Sequence, residues 1–397
     1  MSRLDILKNK EQRLDRRPVY LYWPIIRKES IVISIILLIV IVGSLCLNLD
    51  YIENRDIIVI KLNASGFNQW QIKLDTTHDD YARIIHPLSD GGLMVAGNQM
   101  INHHSFLCEL GNNCEMFENY PRIMIVNSDG SIREDKIFKK ELEQEAIISL
   151  YETSNRSFLL SQHIGYLFGL DASGNVEWST KPIGNESGRI EILSSIQTDE
   201  NSFLIVGEGR QPGTYLMLGW IGEISPDGTL IWDHLYPGTK SFSMIAEGPD
   251  GGYTVVDNNN NLCFINNSRQ FVWNSTLPGE VLAVRMNDGS IQALLHDREM
   301  TLNQKGVVTR IVTYTAGRPV IWTKDGGFAS VNASGQLIRT YTYYTKDCTG
   351  LTLSKFDGSG RLQWNRTVPC TYGGEVISMV QTSDRGYGVL LYSEKRL

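Results

Sequence analysis

Two adjacent histidines, His103 and His104, stand just ahead of Cys108 and Cys114, a set of side chains able to ligate zinc. Structural zinc sites usually space paired cysteines by two to four residues, whereas these bracket a five-residue stretch. Neighbouring His side chains also do not easily face one ion. A disulfide-stapled loop with solvated histidines therefore fits better, and no metal is expected. Tyr341, Tyr343 and Tyr344 lie in the run YTYYTKDC (341–348). They read as an extended outer strand or, with Trp322, as an aromatic platform for a glycan or a protein. Arg210 belongs to GEGRQPG (207–213), which opens no helix and so makes no dinucleotide fingerprint. No G-x-S-x-G, H-E-x-x-H, phosphate-binding loop or EF-hand run occurs. No catalytic residue and no cofactor is expected.

Charge and apolar residues are unevenly distributed. Residues 1–30 carry eight basic and four acidic side chains, a net +4, which leaves −11 of the overall −7 to the rest of the chain. That acidic balance lacks the basic footprint of a nucleic-acid binder. Ile31–Leu49 holds no charge and at 1.5 Å per residue nearly matches a hydrocarbon core of roughly 30 Å. It reads as one transmembrane α-helix. Basic residues in front of it and Asp50, Glu53 and Asp56 behind it put the N-terminus in the cytoplasm and the remainder outside, at the cell membrane. A cleaved signal peptide would have a shorter apolar core and a small-x-small site, and a lipoprotein signal a small residue where Leu45 precedes Cys46. Cys46 reads as a plain buried thiol, with acylation as the alternative.

The elements that must position any site come from internal repetition. One pattern joins two apolar strands through a turn ending in Gly with Trp four residues later: KLNASGFNQW (61–70), GLDASGNVEW (169–178), EISPDGTLIW (223–232) and SKFDGSGRLQW (354–364). Three further copies lose either the Gly (265–273) or the Trp (125–134 and 301–310). The repeat tryptophans are Trp70, Trp178, Trp232, Trp273 and Trp364, and packing against the next unit is a sufficient reason for them. A second pattern, a D-G-G-like turn between apolar strands, alternates with the first, as in HPLSDGGLMVAG (86–97) and EGPDGGYTVVD (247–257). Two hairpins make a four-stranded unit, and seven units of about 50 residues make an all-β, seven-bladed β-propeller. The organisation is a cytoplasmic basic tail (1–30), the helix (31–49), a linker (50–55) and an extracytoplasmic propeller (56–397).

The spacing Asp-x-x-Gly-x-x-x-Trp, as in Asp171, Gly174 and Trp178, resembles the tryptophan-docking repeat of PQQ-like propellers. Its alternation with Thr-x-Asp-Gly-Gly-Tyr-like turns is similar to archaeal cell-surface propeller-repeat proteins. The resemblance implies the fold and little about activity. In quinoprotein dehydrogenases a vicinal cysteine pair lies over the cofactor, and no Cys-Cys occurs here. Outer-membrane assembly lipoproteins share the repeat and use the propeller only as a docking surface.

If the D-G-G hairpin supplies inner strands a and b and the Trp hairpin outer strands c and d, the first and last copies are half-blades that together close the ring. The a–b and c–d turns then share one face. The long insertions, 98–121, 208–215 and 332–349, all fall on the other, which is the expected binding face and leans toward the membrane. Of the sequons, Asn63, Asn155 and Asn266 map to the short-turn face, Asn185 to the loop-rich face, Asn274 and Asn365 to outer strands, and Asn332 to the start of an insertion. Expected disulfides are Cys348–Cys370 and Cys108–Cys114, with Cys263 a free core thiol. The functional expectation is a non-enzymatic protein- or glycan-binding or assembly module at the cell surface. The alternatives are a propeller enzyme acting on surface glycans or a quinone-linked substrate, and a structural envelope component.

Overall fold

The computed structural model describes residues 54–74, 78–102, 117–182, 188–198, 201–315, 317–339, 344–369 and 375–395. The basic tail, the Ile31–Leu49 run, and His103, His104, Cys108, Cys114, Asn185, Tyr341, Tyr343 and Cys370 lie outside them. Among the described residues no helix is long and apolar enough to cross a membrane.

The strands form seven four-stranded antiparallel sheets. Blade 1 contains β3 (Asp79–Pro87), β4 (Leu93–Asn102), β5 (Phe117–Val126) and β6 (Ile132–Ile137). Blades 2 to 6 follow in chain order, and in each the D-G-G hairpin precedes the Trp hairpin, as the phase of the repeats predicts. Blade 7 is split: β27 (Glu375–Gln381) and β28 (Tyr387–Lys395) supply strands a and b, while β1 (Asn54–Leu62) and β2 (Asn68–Leu74) supply c and d. β1 pairs with β28 from Asn54↔Lys395 to Leu62↔Tyr387.

Burial explains why the strand types look different in sequence. In blade 2, strands b (β8, Phe158–Gln162) and c (β9, Leu167–Leu170) are buried at every residue, because blades 1 and 3 cover both faces. Such strands read as unbroken apolar runs. Strand d (β10, Val176–Thr180) lies at the rim and alternates half-buried with exposed residues. The period of two is also visible in β1: Ile58, Ile60 and Leu62 pack with Val331 and Leu353 of blade 6, while Ile57 and Val59 pack with Val95 and Met124 of blade 1.

Strand a lines the centre, and in every blade but the sixth it carries a bulge, at Ala82/Ile84, Ile147/Ser149, Ile192/Ser194, Phe242/Met244, Val281/Ala283 and Val376/Ser378. A bulge sharpens local twist and lets neighbouring inner strands turn about the axis. Two bulges press on a glycine of strand b. A Cβ on Gly97 would lie 1.8 Å from the Tyr81 carbonyl oxygen, and one on Gly207 1.9 Å from that of Glu191.

The repeat tryptophans dock on the following blade. Trp70 Nε1 donates to the Ser128 carbonyl at 2.8 Å with its ring over Gly130, and Trp273 Nε1 to that of Gln304 at 2.9 Å with its ring over Gly306. Trp178 lies against Gly228 and Trp364 against Gly66. Blade 5 lacks the Trp, and there Arg310 Nη2 donates to the Gly358 carbonyl at 2.6 Å, the equivalent turn position. Blade 4 lacks the Gly, and Arg269 itself adopts φ 66° and lays its guanidinium 4.2 Å from the Trp232 ring centre. Arg269→Ala is expected to cost about 1 kcal/mol by losing the cation–π contact while keeping the left-handed backbone. Arg269→Gly should be closer to neutral because the strain goes too. Urea denaturation of both variants checks this, and equal losses would remove strain from the account.

Candidate functional site

The short-turn face is built from tight hairpins whose side chains bind their own backbones. Asn63 Oδ1 accepts from the amides of Ser65 and Phe67, and Asn266 Oδ1 from that of Gln270. Asn155, in an a–b turn, accepts from the Ser157 hydroxyl at 2.6 Å. Blades are clasped here by a contact the sequence reading missed: the last residue of strand a accepts from the preceding blade's a–b turn. Glu152 receives the Ser89 amide at 2.7 Å, Gln197 the Ser154 amide at 3.1 Å, and Gln381 the Lys324 amide at 2.7 Å. Its signal was present as Glu or Gln directly before Thr153, Thr198 and Thr382.

The opposite face carries the b–c connections. In blade 1, β4 and β5 continue their ladder to Asn102↔Phe117, around the insertion at 103–116. In blade 6, 332–349 is not a loop. β24 (Phe328–Arg339) and β25 (Tyr344–Phe356) stay paired through it to Arg339↔Tyr344, whereas β26 (Leu362–Pro369) stops at Gly350↔Pro369. A two-stranded ribbon thus continues past the four-stranded blade. Tyr344 begins β25, Cys348 pairs in register with Gly335, and Asn332 sits in β24.

Trp322 requires a correction. The sequence reading places it with the tyrosines, but it ends β23 (Val320–Trp322), opposite Phe328 at the far end of β24 from Arg339. At about 3.3 Å per residue the separation is roughly 35 Å. Trp322 is on the short-turn face, where it lines the central channel, and it forms no platform with Tyr344.

Arg210 is where the sequence puts it, at the end of β12 (Phe203–Arg210) on the b–c face. Its Nε donates to the Thr214 carbonyl at 2.8 Å, its backbone amide to that of Arg189 at 2.8 Å, and its guanidinium stands 5.0 Å from the Tyr215 ring centre. The loop so fixed presents Tyr215 at 91% and Leu216 at 54% exposure. Beside it lies a carboxylate pair that the sequence did not reveal. Glu191, on β11 (Ile190–Gln197), pairs in register with Glu208. Glu191 also meets Arg189 at 2.8 Å and His163 at 3.4 Å. Burial, and then the hydrogen bond to Glu191, raises the Glu208 carboxyl above the ordinary range.

The remaining sequence-predicted residues are dispersed. Asn274 lies on β18 (Phe271–Thr276) and Asn365 on β26, both on exposed rim strands. Cys263 is a buried free thiol, pushed up to about 12 by burial and then by Asp257. Among the described residues no three His, Cys, Asp or Glu side chains are grouped to hold a metal.

Seven sheets radiating from a central channel decide the fold. The chain is a seven-bladed β-propeller. No family model matches it, and no curated protein matches it. Solved structures do. The catalytically inactive virginiamycin B lyase from Staphylococcus aureus with quinupristin is 12% identical, covers 84% of this chain and 99% of its own, and superposes with a TM-score of 0.51. The Pan2 WD40 domain of Neurospora crassa is 8% identical over 79% of this chain and 89% of its own, with a TM-score of 0.53. BamB from Moraxella catarrhalis is 10% identical over 80% and 99%, with a TM-score of 0.41. At such identities the likeness bears on the fold alone, and one fold hosts many unrelated activities.

Proposed function

We propose that the propeller is a non-enzymatic docking module whose b–c face engages a protein or glycan partner. The observation that carries this reading is the asymmetry of the two faces. The a–b and c–d turns close on themselves, while the b–c face holds the ribbon of blade 6 and a rigid loop exposing Tyr215 and Leu216. An exposed aromatic beside an arginine on a fixed loop is the composition of an interface anchor. In the same proposal Ile31–Leu49 anchors the chain in the cell membrane with the propeller outside, in the manner of the cell-surface repeat proteins that the sequence resembles.

Photo-crosslinking in cells tests the reading, with the reactive side chain placed at Tyr215, within 98–121 and within 332–349, and at Asp129 on the opposite face as control. The expected result is a discrete adduct from the first three and none from Asp129. Adducts from Asp129 alone, or turnover of surface glycans by purified protein without any adduct, would sink it. Tyr215→Ala with Leu216→Ala should weaken binding of the captured partner by about tenfold or more, as hot-spot truncations do.

A further inference from the structure

We propose that the central channel binds a small amphipathic anion through its mouth on the short-turn face. The site is distinct from the docking face. A channel sector of about 680 Å³ runs along the inner strands of blades 5, 6 and 7, walled by Ala283, Ile321, Ile377, Met379 and Val380. That volume falls within the roughly 300–1,000 Å³ typical of small-molecule sites, which pair an apolar wall with a few placed polar groups.

Polar groups stand at both ends of the sector: His296, held by Glu280, and Arg318 at the b–c end, and Trp322 and Lys324 at the short-turn mouth. Trp322 lines the sector there, its ring fixed by Nε1 donating to Glu299 Oε2 at 2.9 Å. The Arg285 guanidinium lies 4.4 Å from the centre of that ring. Arg285 Nε is held by Gln292 Oε1 at 2.7 Å, while its terminal amino groups donate to no described residue. Lys324 lines the same mouth, its backbone tied to Gln381 and its ammonium without an ion pair among the described residues.

Most nearby acids are already occupied, while Asp288 in the a–b turn of blade 5 is exposed. Asp325 holds Lys355 at 2.9 Å, Asp384 holds Lys61 at 2.8 Å, Glu152 accepts from Ser89, and Glu299 is buried beneath Trp322. What faces solvent is an excess of cation over an aromatic ring, above an apolar shaft. A sulfonate or carboxylate would sit between Arg285 and Lys324, with its apolar body descending along Ile321 and Met379. Charge complementarity at the mouth and apolar burial below both favour such a ligand over a neutral or a fully polar one.

Fluorescence titration of the full chain with 8-anilino-1-naphthalenesulfonate, and with the neutral N-phenyl-1-naphthylamine of nearly the same shape, tests the proposal. The expected result is saturable one-to-one binding of the sulfonate, weakened about threefold in Lys324→Gln and at least tenfold in the Arg285→Gln, Lys324→Gln double variant. Binding of the neutral probe should stay within twofold. Ala283→Phe should displace both probes by filling the shaft, and thermal midpoints near the parent's would certify that each variant is folded. Unsaturable binding, or sulfonate affinity indifferent to both charge variants, would overturn the proposal. So would Ala283→Phe leaving sulfonate binding intact.

Discussion

Replacing Asp384 with Ala is expected to destabilise the propeller by about 2–3 kcal/mol and to do so through a lysine. Lys61 lies on β1 at 1% exposure, between the apolar residues Ile57 to Ile60 and Leu62. Its ammonium is held by Thr382 Oγ1 at 2.8 Å, by Asp384 Oδ1 and Oδ2 at 2.9 and 2.8 Å, and by the Leu62 carbonyl at 3.4 Å. Removing the acid strands a buried cation, which costs roughly 3–5 kcal/mol for a fully buried pair. Asp384 is 49% exposed, so solvent screening discounts that figure. Lys61→Met combined with Asp384→Asn should recover most of the loss, because no charge is then left to solvate.

The effect has a pH signature. Burial pushes the Asp384 carboxyl up, but hydrogen bonds from Lys61 and Thr382 outweigh it and hold the group at about 2; Asp325 is held at about 2 likewise, by Thr323 and Lys355. Both folded values lie below the unfolded value of roughly 3.9. Their contribution is therefore complete above about pH 5 and lost as pH falls through 4 toward 2. The gap between wild type and Asp384→Ala, measured by urea denaturation at pH 7, 5.5 and 2.5, should be constant between the first two and narrow at the third. A gap that does not narrow would show that the carboxylate charge is not what holds Lys61.

Trp220→Ala should cost more, about 4 kcal/mol. Trp220 is not a repeat tryptophan. It lies on β13 (Met217–Ile224) with no exposed surface, its ring over Gly222 and its Nε1 donating to Asp233 Oδ2 at 3.2 Å. Around it pack Leu167, Ile190, Ile205 and Leu235 from blades 2 and 3. Large-to-small changes at such sites lose the transfer energy of the side chain and leave a cavity, together roughly 3–5 kcal/mol for Trp. Trp70, half-buried at the rim, should cost about half as much on the same change, and thermal denaturation of the two variants would rank them. If Trp70→Ala proved the more damaging, docking at the rim would outweigh the inter-blade core.

That ranking shows which parts of the fold are legible in one sequence. Blade number, strand phase and the split closing blade are legible because their signals are local: Gly66, Gly130 and Gly306 mark turns at a fixed distance before or after an apolar run. Trp220 and Lys61 are not, since an indole or an ammonium inside an apolar run does not say what the neighbouring blade offers it. The reason for Lys61 appears only after the phase is known. Blades with Lys before the c–d turn, at Lys61 and Lys355, have Thr-x-Asp in their own a–b turn, at Thr382 to Asp384 and Thr323 to Asp325.

For the candidate site, Arg210 was found because a Gly- and Pro-marked insertion exposes it. Reading 332–349 as a loop lets Trp322 and the tyrosines meet, whereas β24 and β25 stay paired through it and hold them apart. The Glu191–Glu208 pair and the channel mouth of Arg285 and Lys324 depend on cross-strand register and on three separate blades. Neither leaves a mark on any single segment.

The split blade also sets a schedule. Among the described strands β1 and β2 leave the ribosome first and their partner β28 last. At roughly 5–20 residues per second the wait is on the order of 15–70 s. Throughout it the backbone edge of β1 that will meet β28 stays open, with Ile58, Ile60 and Leu62 uncovered. Nascent chains held side by side on one messenger therefore present one another with identical unpaired strands, and the ring is exposed to exchange between neighbours until β28 is made.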